Sequence, residues 1–162
     1  MSSNGTYATI FQMEFEKNYK ESLLRSIPVV AAMDVDIVEI TETSLILKAP
    51  LTTNINYEGT AFGGSLNTLG ILSCYLLVHH ILKCEEVPFS SLVIQDSSIQ
   101  YLKPVDGDFY SRSECCNTEA FLSSLRRRAM GRAKMQASLS TALSPSEASA
   151  QVLFNGRFVV TK

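Results

Sequence analysis

The sequence has no tryptophan, no C-x-x-C cysteine pair and no excess of either charge sign, and each absence excludes something. Charged side chains make up 19% of its 162 residues and the formal net charge is -2. Average soluble chains carry about 25% charged residues, so much of this surface is expected to be covered by something. A disordered chain, a collagen-like repeat and a highly charged nucleic-acid arm are excluded by the same balance. Four cysteines, Cys74, Cys84, Cys115 and Cys116, form neither a second cluster nor a zinc-ligand spacing, which argues against a metal site and a secreted disulfide framework. They read as reduced thiols of a cytoplasmic protein. Residues 1–7 are polar and lack the basic-then-apolar order of a signal peptide, and Ser2 excludes myristoylation.

What is present fits one domain over residues 1–162, with no internal repeat or Pro/Gly-rich linker. A chain of this length buries roughly two-thirds of its unfolded surface and folds without a disulfide or a metal. Phe11, Phe15, Tyr19, Leu23 and Ile27 recur every fourth residue, which predicts an amphipathic helix over about 10–27, ended with the help of Pro28. Two short strands are expected at 34–40 and 44–49, then a polar stretch at 52–60. From 64 to about 83 apolar residues cover most of the helical circumference, so this helix must be buried. Its stretch from Leu66 to Leu82 approaches a membrane span, yet contains Asn67, Thr68, Ser73, His79 and His80, which favours a core helix.

Strands are expected at 91–103 and 108–116, joined as a hairpin about Pro104-Val105-Asp106-Gly107. A short helix at 118–129 is expected to be capped by Thr118. Ala133, Met135, Ala137 and Leu139 alternate with Arg132, Lys134, Gln136 and Ser138, and Ala150, Val152, Phe154, Phe158 and Val160 alternate likewise, with Gly156 in the row where a bulge or close approach is expected. The order predicts an α+β fold, an antiparallel sheet wrapped around one long central helix.

The segment Asn56-Tyr57-Glu58-Gly59-Thr60-Ala61-Phe62-Gly63-Gly64-Ser65-Leu66 resembles the loop that opens the central helix of hotdog-fold acyl-thioester enzymes. It is most similar to the thioesterase domain also found fused behind a bacterial acetyltransferase domain, where the loop reads approximately N-x-x-G-T-x-F-G-G-S. The segments from Val93 to Pro104, from Arg127 to Lys134 and from Leu153 to Val160 extend the resemblance over roughly residues 20–160. It implies a hotdog fold, a homodimer or homotetramer, and an interface active site acting on an acyl group carried by coenzyme A or acyl carrier protein. One departure stands out. Related thioesterases often carry His-Gly-Gly in the loop and an Asp or Glu two turns into the helix, whereas here Phe62-Gly63-Gly64 leads to Leu69-Gly70-Ile71-Leu72, without a carboxylate.

Within that resemblance, Gly63 and Gly64 would present N–H groups at the positive end of the helix dipole to a developing oxyanion, rather than merely making a tight helix entry. Asn56 would donate to the thioester or to an attacking water, Thr60 would position a carboxylate or water, and either could instead satisfy its own loop backbone. Phe62 and Ser65 fall in the substrate-binding loop, Ser65 as a helix-start hydroxyl rather than a nucleophile. Asp96 lies in an apolar run. It is either a partly buried base or a solvent-facing partner of Lys103 or an arginine. Arg127, Arg128 and Arg132, with Arg126 and Lys134, form either a solvated face or a site for coenzyme A phosphates or an acidic carrier. Nucleic acid is a poor fit to the negative net charge. His79, His80 and Cys84 supply too few ligands for a metal, and no cofactor is implied. Three functions follow: thioester hydrolysis, malonyl-thioester decarboxylation, which needs enolate stabilisation but no general base, and non-catalytic acyl-thioester binding.

Overall fold

In the computed structural model the described residues are Asn18, Ser22, Ser26 and 27–162. Apart from those three helical positions and Ile27, the amphipathic helix expected over 10–27 lies outside them. Ser26 is helical and Ile27 is not, so a helix stops just before Pro28 as expected, and Pro28 itself opens a new short helix, Pro28–Ala32. The first position of a helix suits proline, whose missing N–H has no intrahelical partner to lose there. Asp34 then takes a left-handed φ of 55° and turns the chain into the sheet, so the first strand starts two residues later than expected.

The sheet has six strands: β1 (Asp36–Ile40), β2 (Ser44–Ala49), β3 (Ser91–Tyr101), β4 (Phe109–Cys115), β5 (Met130–Ser140) and β6 (Val152–Thr161). Their order is β1-β2-β4-β5-β6-β3, and every neighbouring pair is antiparallel. The hairpin expected between β3 and β4 is therefore not formed. β3 pairs with β6 at one edge, while β4 pairs with β2 and β5. Pro104 to Gly107 carry the chain across the sheet, and Val105, almost wholly buried, accepts the Ala61 N–H through its carbonyl. A Pro-Val-Asp-Gly run fits a crossing as well as a reversal, because turn chemistry sets the local bend and not the strand that follows.

The central helix, Gly63–Cys84, lies against the concave face of this sheet with Leu69, Cys74, Leu77 and Val78 fully buried. Long and apolar enough to cross a bilayer, it is instead walled in by strands. Close approach comes from small residues. Gly70 faces Phe154 of β6, where a Cβ would lie 3.0 Å from Cγ, and Ser73 Oγ pairs with Ser111 Oγ of β4 at 2.8 Å. Ser113 Oγ donates to the Ser73 carbonyl at 2.9 Å. These buried hydroxyls satisfy one another, which removes the cost of placing them in the core.

The alternating rows of β5 and β6 face as expected: Ala133, Met135, Ala137 and Leu139 are buried, as are Val152, Phe154, Phe158 and Val160. At Gly156 the Phe154 and Phe158 rings close over the backbone, 2.9 and 3.1 Å from where a Cβ would be. The irregularity expected there lies in the neighbouring strand, where the register shifts between Ile94 and Asp96. A further helix, Thr118–Arg127, buries Phe121, Leu122 and Leu125 against β5. Its N-cap is Asn117 rather than Thr118, and no side chain caps it. Asn117 is occupied elsewhere, giving its amide to the Arg132 carbonyl and accepting the Lys134 N–H at 2.7 Å.

Candidate active site at the start of the central helix

The loop before the central helix is held from below by a residue that sequence reasoning missed. Asn54, 2% exposed, donates to the carbonyls of Met33 and Pro50 at 2.9 and 2.8 Å, and its own carbonyl receives the Phe62 N–H at 2.7 Å. Above it, Asn56 closes the loop. Its Oδ1 accepts the N–H groups of Glu58 and Thr60 at 2.9 and 3.1 Å, and its Nδ2 donates to Thr60 Oγ1 at 3.0 Å. Gly59 supplies the left-handed φ of 78° that the turn demands. Of the two roles open to Asn56, the described bonds show the one that organises the loop. Thr60 is different: its Oγ1 accepts from Asn56 and it lines the recess, so its own proton remains to be given.

Amide accounting then singles out the helix entry. The Ala61 and Phe62 N–H groups are spent on Val105 and Asn54, and the ladder of the helix starts with Leu66 donating to Phe62. Gly63, Gly64 and Ser65 occupy the first turn, whose N–H groups have no intrahelical acceptor, and no side chain caps them. They lie at the positive end of a 22-residue helix, and Gly63 and Gly64 border an open recess of about 540 Å³. Thr60, Gly63, Gly64 and Leu66 form one wall, and Tyr101, Leu102, Lys103 and Pro104 the other. Two rings frame the glycines. Phe62 folds over Gly64, where a Cβ would lie 2.3 Å from its Cε1, and the Tyr101 ring lies 3.4 Å from the Cβ position of Gly63.

Other candidate residues lie elsewhere within this chain. Asp96 sits on the outer face of the sheet, its carboxylate 65% exposed and 3.2 Å from Arg157 of β6, which is its solvent-facing alternative and not that of a buried base. Strand alternation places Ile99 and Tyr101 on the inner face and Asp96 on the outer one. Arg127 and Arg128 end the helix that packs beside the far end of the central helix, where Arg126 pairs with Glu85. A 22-residue helix is about 33 Å long, so one chain does not bring this basic group, or Arg132 near it, to the Gly63–Gly64 end.

His79 and His80 lie near that far end too. Burial, with Lys83 and His80 adding repulsion, holds the His79 imidazole down to about 4, and its ring meets Phe89 edge-on at 5.2 Å. Burial also lowers His80, whose Nε2 is 3.4 Å from Cys84 Sγ. Among the described residues no three His, Cys, Asp or Glu side chains gather as a metal site. Cys74 is fully buried, which pushes its thiol far up and leaves it inert.

An antiparallel sheet curled round one long helix, with a glycine-rich helix entry opening on a recess, defines a hotdog-fold protein of the thioesterase type. The family described as "Putative thioesterase (yiiD_Cterm)" matches residues 16–162, and the chain belongs to it. Among solved structures, a protein of unknown function from Chlorobaculum tepidum TLS is similar at 25% identity and a TM-score of 0.84, over 93% of this chain and 96% of that one. A "putative thioesterase from Shewanella oneidensis" is 26% identical with a TM-score of 0.80, over 92% and 99% of the two chains. A "probable thioesterase" from Pseudomonas aeruginosa, 14% identical with a TM-score of 0.64 over 86% and 91%, shares the fold. No curated protein matches the chain.

Proposed function

We propose that this protein is a cytoplasmic enzyme that hydrolyses an acyl thioester of coenzyme A or acyl carrier protein, working as a homodimer or homotetramer. The uncapped amides of the helix entry, with Gly63 and Gly64 lining the recess, carry this reading. Water adds to the thioester carbonyl carbon, and charge develops on the carbonyl oxygen. The oxygen seats at the helix entry, with the Gly64 N–H and its neighbours as donors. Collapse of the adduct breaks the C–S bond and releases a carboxylic acid and a thiol. Donors fixed before reaction are worth most where water is excluded. Phe62, 57% exposed, and the Tyr101 ring supply apolar cover on either side. Thr60 holds the water through its free proton or lone pair. The arginines at 127, 128 and 132 serve the phosphates or the acidic carrier attached to a partner subunit's acyl group.

A second reading has its own observation: among the described residues, no carboxylate and no histidine lines the recess. Decarboxylation of a malonyl thioester requires neither. The C–C bond to the carboxylate breaks, carbon dioxide leaves, and the enolate oxygen takes the place of the oxyanion before the carbon is protonated.

Incubating the purified protein with acyl and malonyl thioesters on both carriers, and following free thiol and intact products by mass spectrometry, separates the readings. Thiol release from acyl thioesters is the expected result. Conversion of malonyl to acetyl thioester without thiol would install the decarboxylase reading. Binding without any turnover would leave only an acyl-binding domain.

A further inference from the structure

The Tyr101 hydroxyl has no role in the reaction just described, yet it reaches the helix entry from 38 residues away and lies 3.0 Å from the Gly63 carbonyl oxygen. A carbonyl only accepts, so the phenolic proton must lie on this bond and is not free for a substrate oxygen. The acceptor is no ordinary one. The Gly63 carbonyl belongs to the same peptide unit as the Gly64 N–H, one of the uncapped amides facing the recess.

We propose that Tyr101 is a positioning residue for the oxyanion donor: its O–H polarises and orients the Gly63–Gly64 peptide, so that the Gly64 N–H is aimed and strengthened before substrate arrives. The chain of bonds runs from Tyr101 O–H to Gly63 C=O and through the peptide to Gly64 N–H. Hydrogen bonds in series polarise one another, more so as the local dielectric falls. Tyr101 also lines the recess, so an acyl group seated there covers the bond from water.

The tyrosine is itself well braced. It ends β3 opposite Val152 of β6. The next two residues, Leu102 and Lys103, both donate their N–H groups to the Gln151 carbonyl, at 2.8 and 3.1 Å, while the Gln151 side chain donates to the Pro104 carbonyl at 2.6 Å. Its ring stacks over a residue without a side chain, Gly63, which allows the approach. A group held by the sheet and bonded to the first peptide of the helix fixes the relation between the two walls of the recess.

This inference rests on the thioester reading, so its test has one arm that needs no turnover. Tyr101→Phe keeps the ring and removes only the O–H. In the free protein, the Gly64 amide proton and nitrogen resonances are expected to move upfield in the variant, with unchanged thermal stability. On the thioester that the wild type turns over, kcat is expected to fall roughly three- to tenfold, the value of about one hydrogen bond, with KM within twofold. Tyr101→Leu, which also removes the ring, should raise KM as well. An unmoved Gly64 resonance overturns the proposal whatever the activity, and so does a moved resonance with unchanged kcat. A wild type that turns over no thioester defeats the functional reading by itself, and the resonance then decides whether Tyr101 acts on this peptide.

Discussion

Gly64 and Gly70 stand on one helix, and adding a methyl group to each is expected to give opposite results. At Gly64 the obstacle is the outer edge of the exposed Phe62 ring, which can swing aside. Gly64→Ala should therefore keep or raise the melting temperature, since alanine is the better helix former by about 1 kcal/mol. The displaced ring then intrudes on the amides proposed to hold the oxyanion, and kcat/KM should fall roughly tenfold or more in a thiol-release assay. Asp96→Asn is a control of the other kind. Its pairing with Arg157 is solvent-exposed and worth about 0–1 kcal/mol, so stability and turnover should both stay near wild type. A hundredfold loss would return the carboxylate to the chemistry. His79 supplies a pH signature. Its folded value near 4 lies below the ordinary 6.5, so the unfolded chain binds the extra proton between those limits. Stability should be full above about pH 6.5 and decline as pH falls toward 4, a slope that His79→Phe should flatten in thermal melts. At this scale the loop was the most legible feature: an Asn, a Gly and a Thr before paired glycines marked the entry to the helix. Asn56's inward bonds, Asn54's support and Tyr101's reach were not legible, because each depends on which backbone atom lies beside it. One signal for Tyr101 was present. It follows Ile99 by two residues, and period two puts both on the inner face.

For the elements, Gly70 is the test of how the central helix meets the sheet. A Cβ there meets Phe154 at Cγ and Cβ, the fixed base of the side chain, within 3.0–3.2 Å. Overpacking of this kind costs about 1–3 kcal/mol, more than helix propensity returns. Gly70→Ala should lower the melting temperature by several degrees with little change in KM, measured by thermal denaturation beside the assay. Helix and strand periods are plain in the sequence, and from residue 34 onward the bounds agree to within a few residues. Partner choice was not plain. The Asp-Gly pair in the Pro104 to Gly107 run suits a tight reversal, yet β3 pairs with β6. What decides it is burial over the whole sheet: β4 brings Ser111 and Ser113 to the middle of the central helix, a place only an interior strand can occupy.

At the level of the molecule, β3 is an edge strand that exposes Val93 and Ile94 on its way to the recess. Bare apolar edges invite pairing with another chain. With a protomer of 17.9 kDa, light scattering is expected to return about 36 kDa or its double, and Val93→Lys should shift that mass toward the protomer and reduce turnover together. The low charge of the sequence pointed to covered surface without saying where. The structure leaves apolar side chains bare at this edge and at the Tyr101–Leu102 wall of the recess, where the proposed subunit contact and acyl group would supply that cover.

The same sheet order governs the timing of folding. Ser91 and Thr161 are 70 residues apart and lie side by side. On the ribosome, β3 emerges long before β6, its one partner strand among the described residues, and at about 5–20 residues per second it waits several seconds for β6 to be made. During that interval its apolar edge and one flank of the central helix have no cover, so nascent chains halted between β5 and β6 should bind holding chaperones and be cut readily by proteases, while chains that have released β6 should resist both.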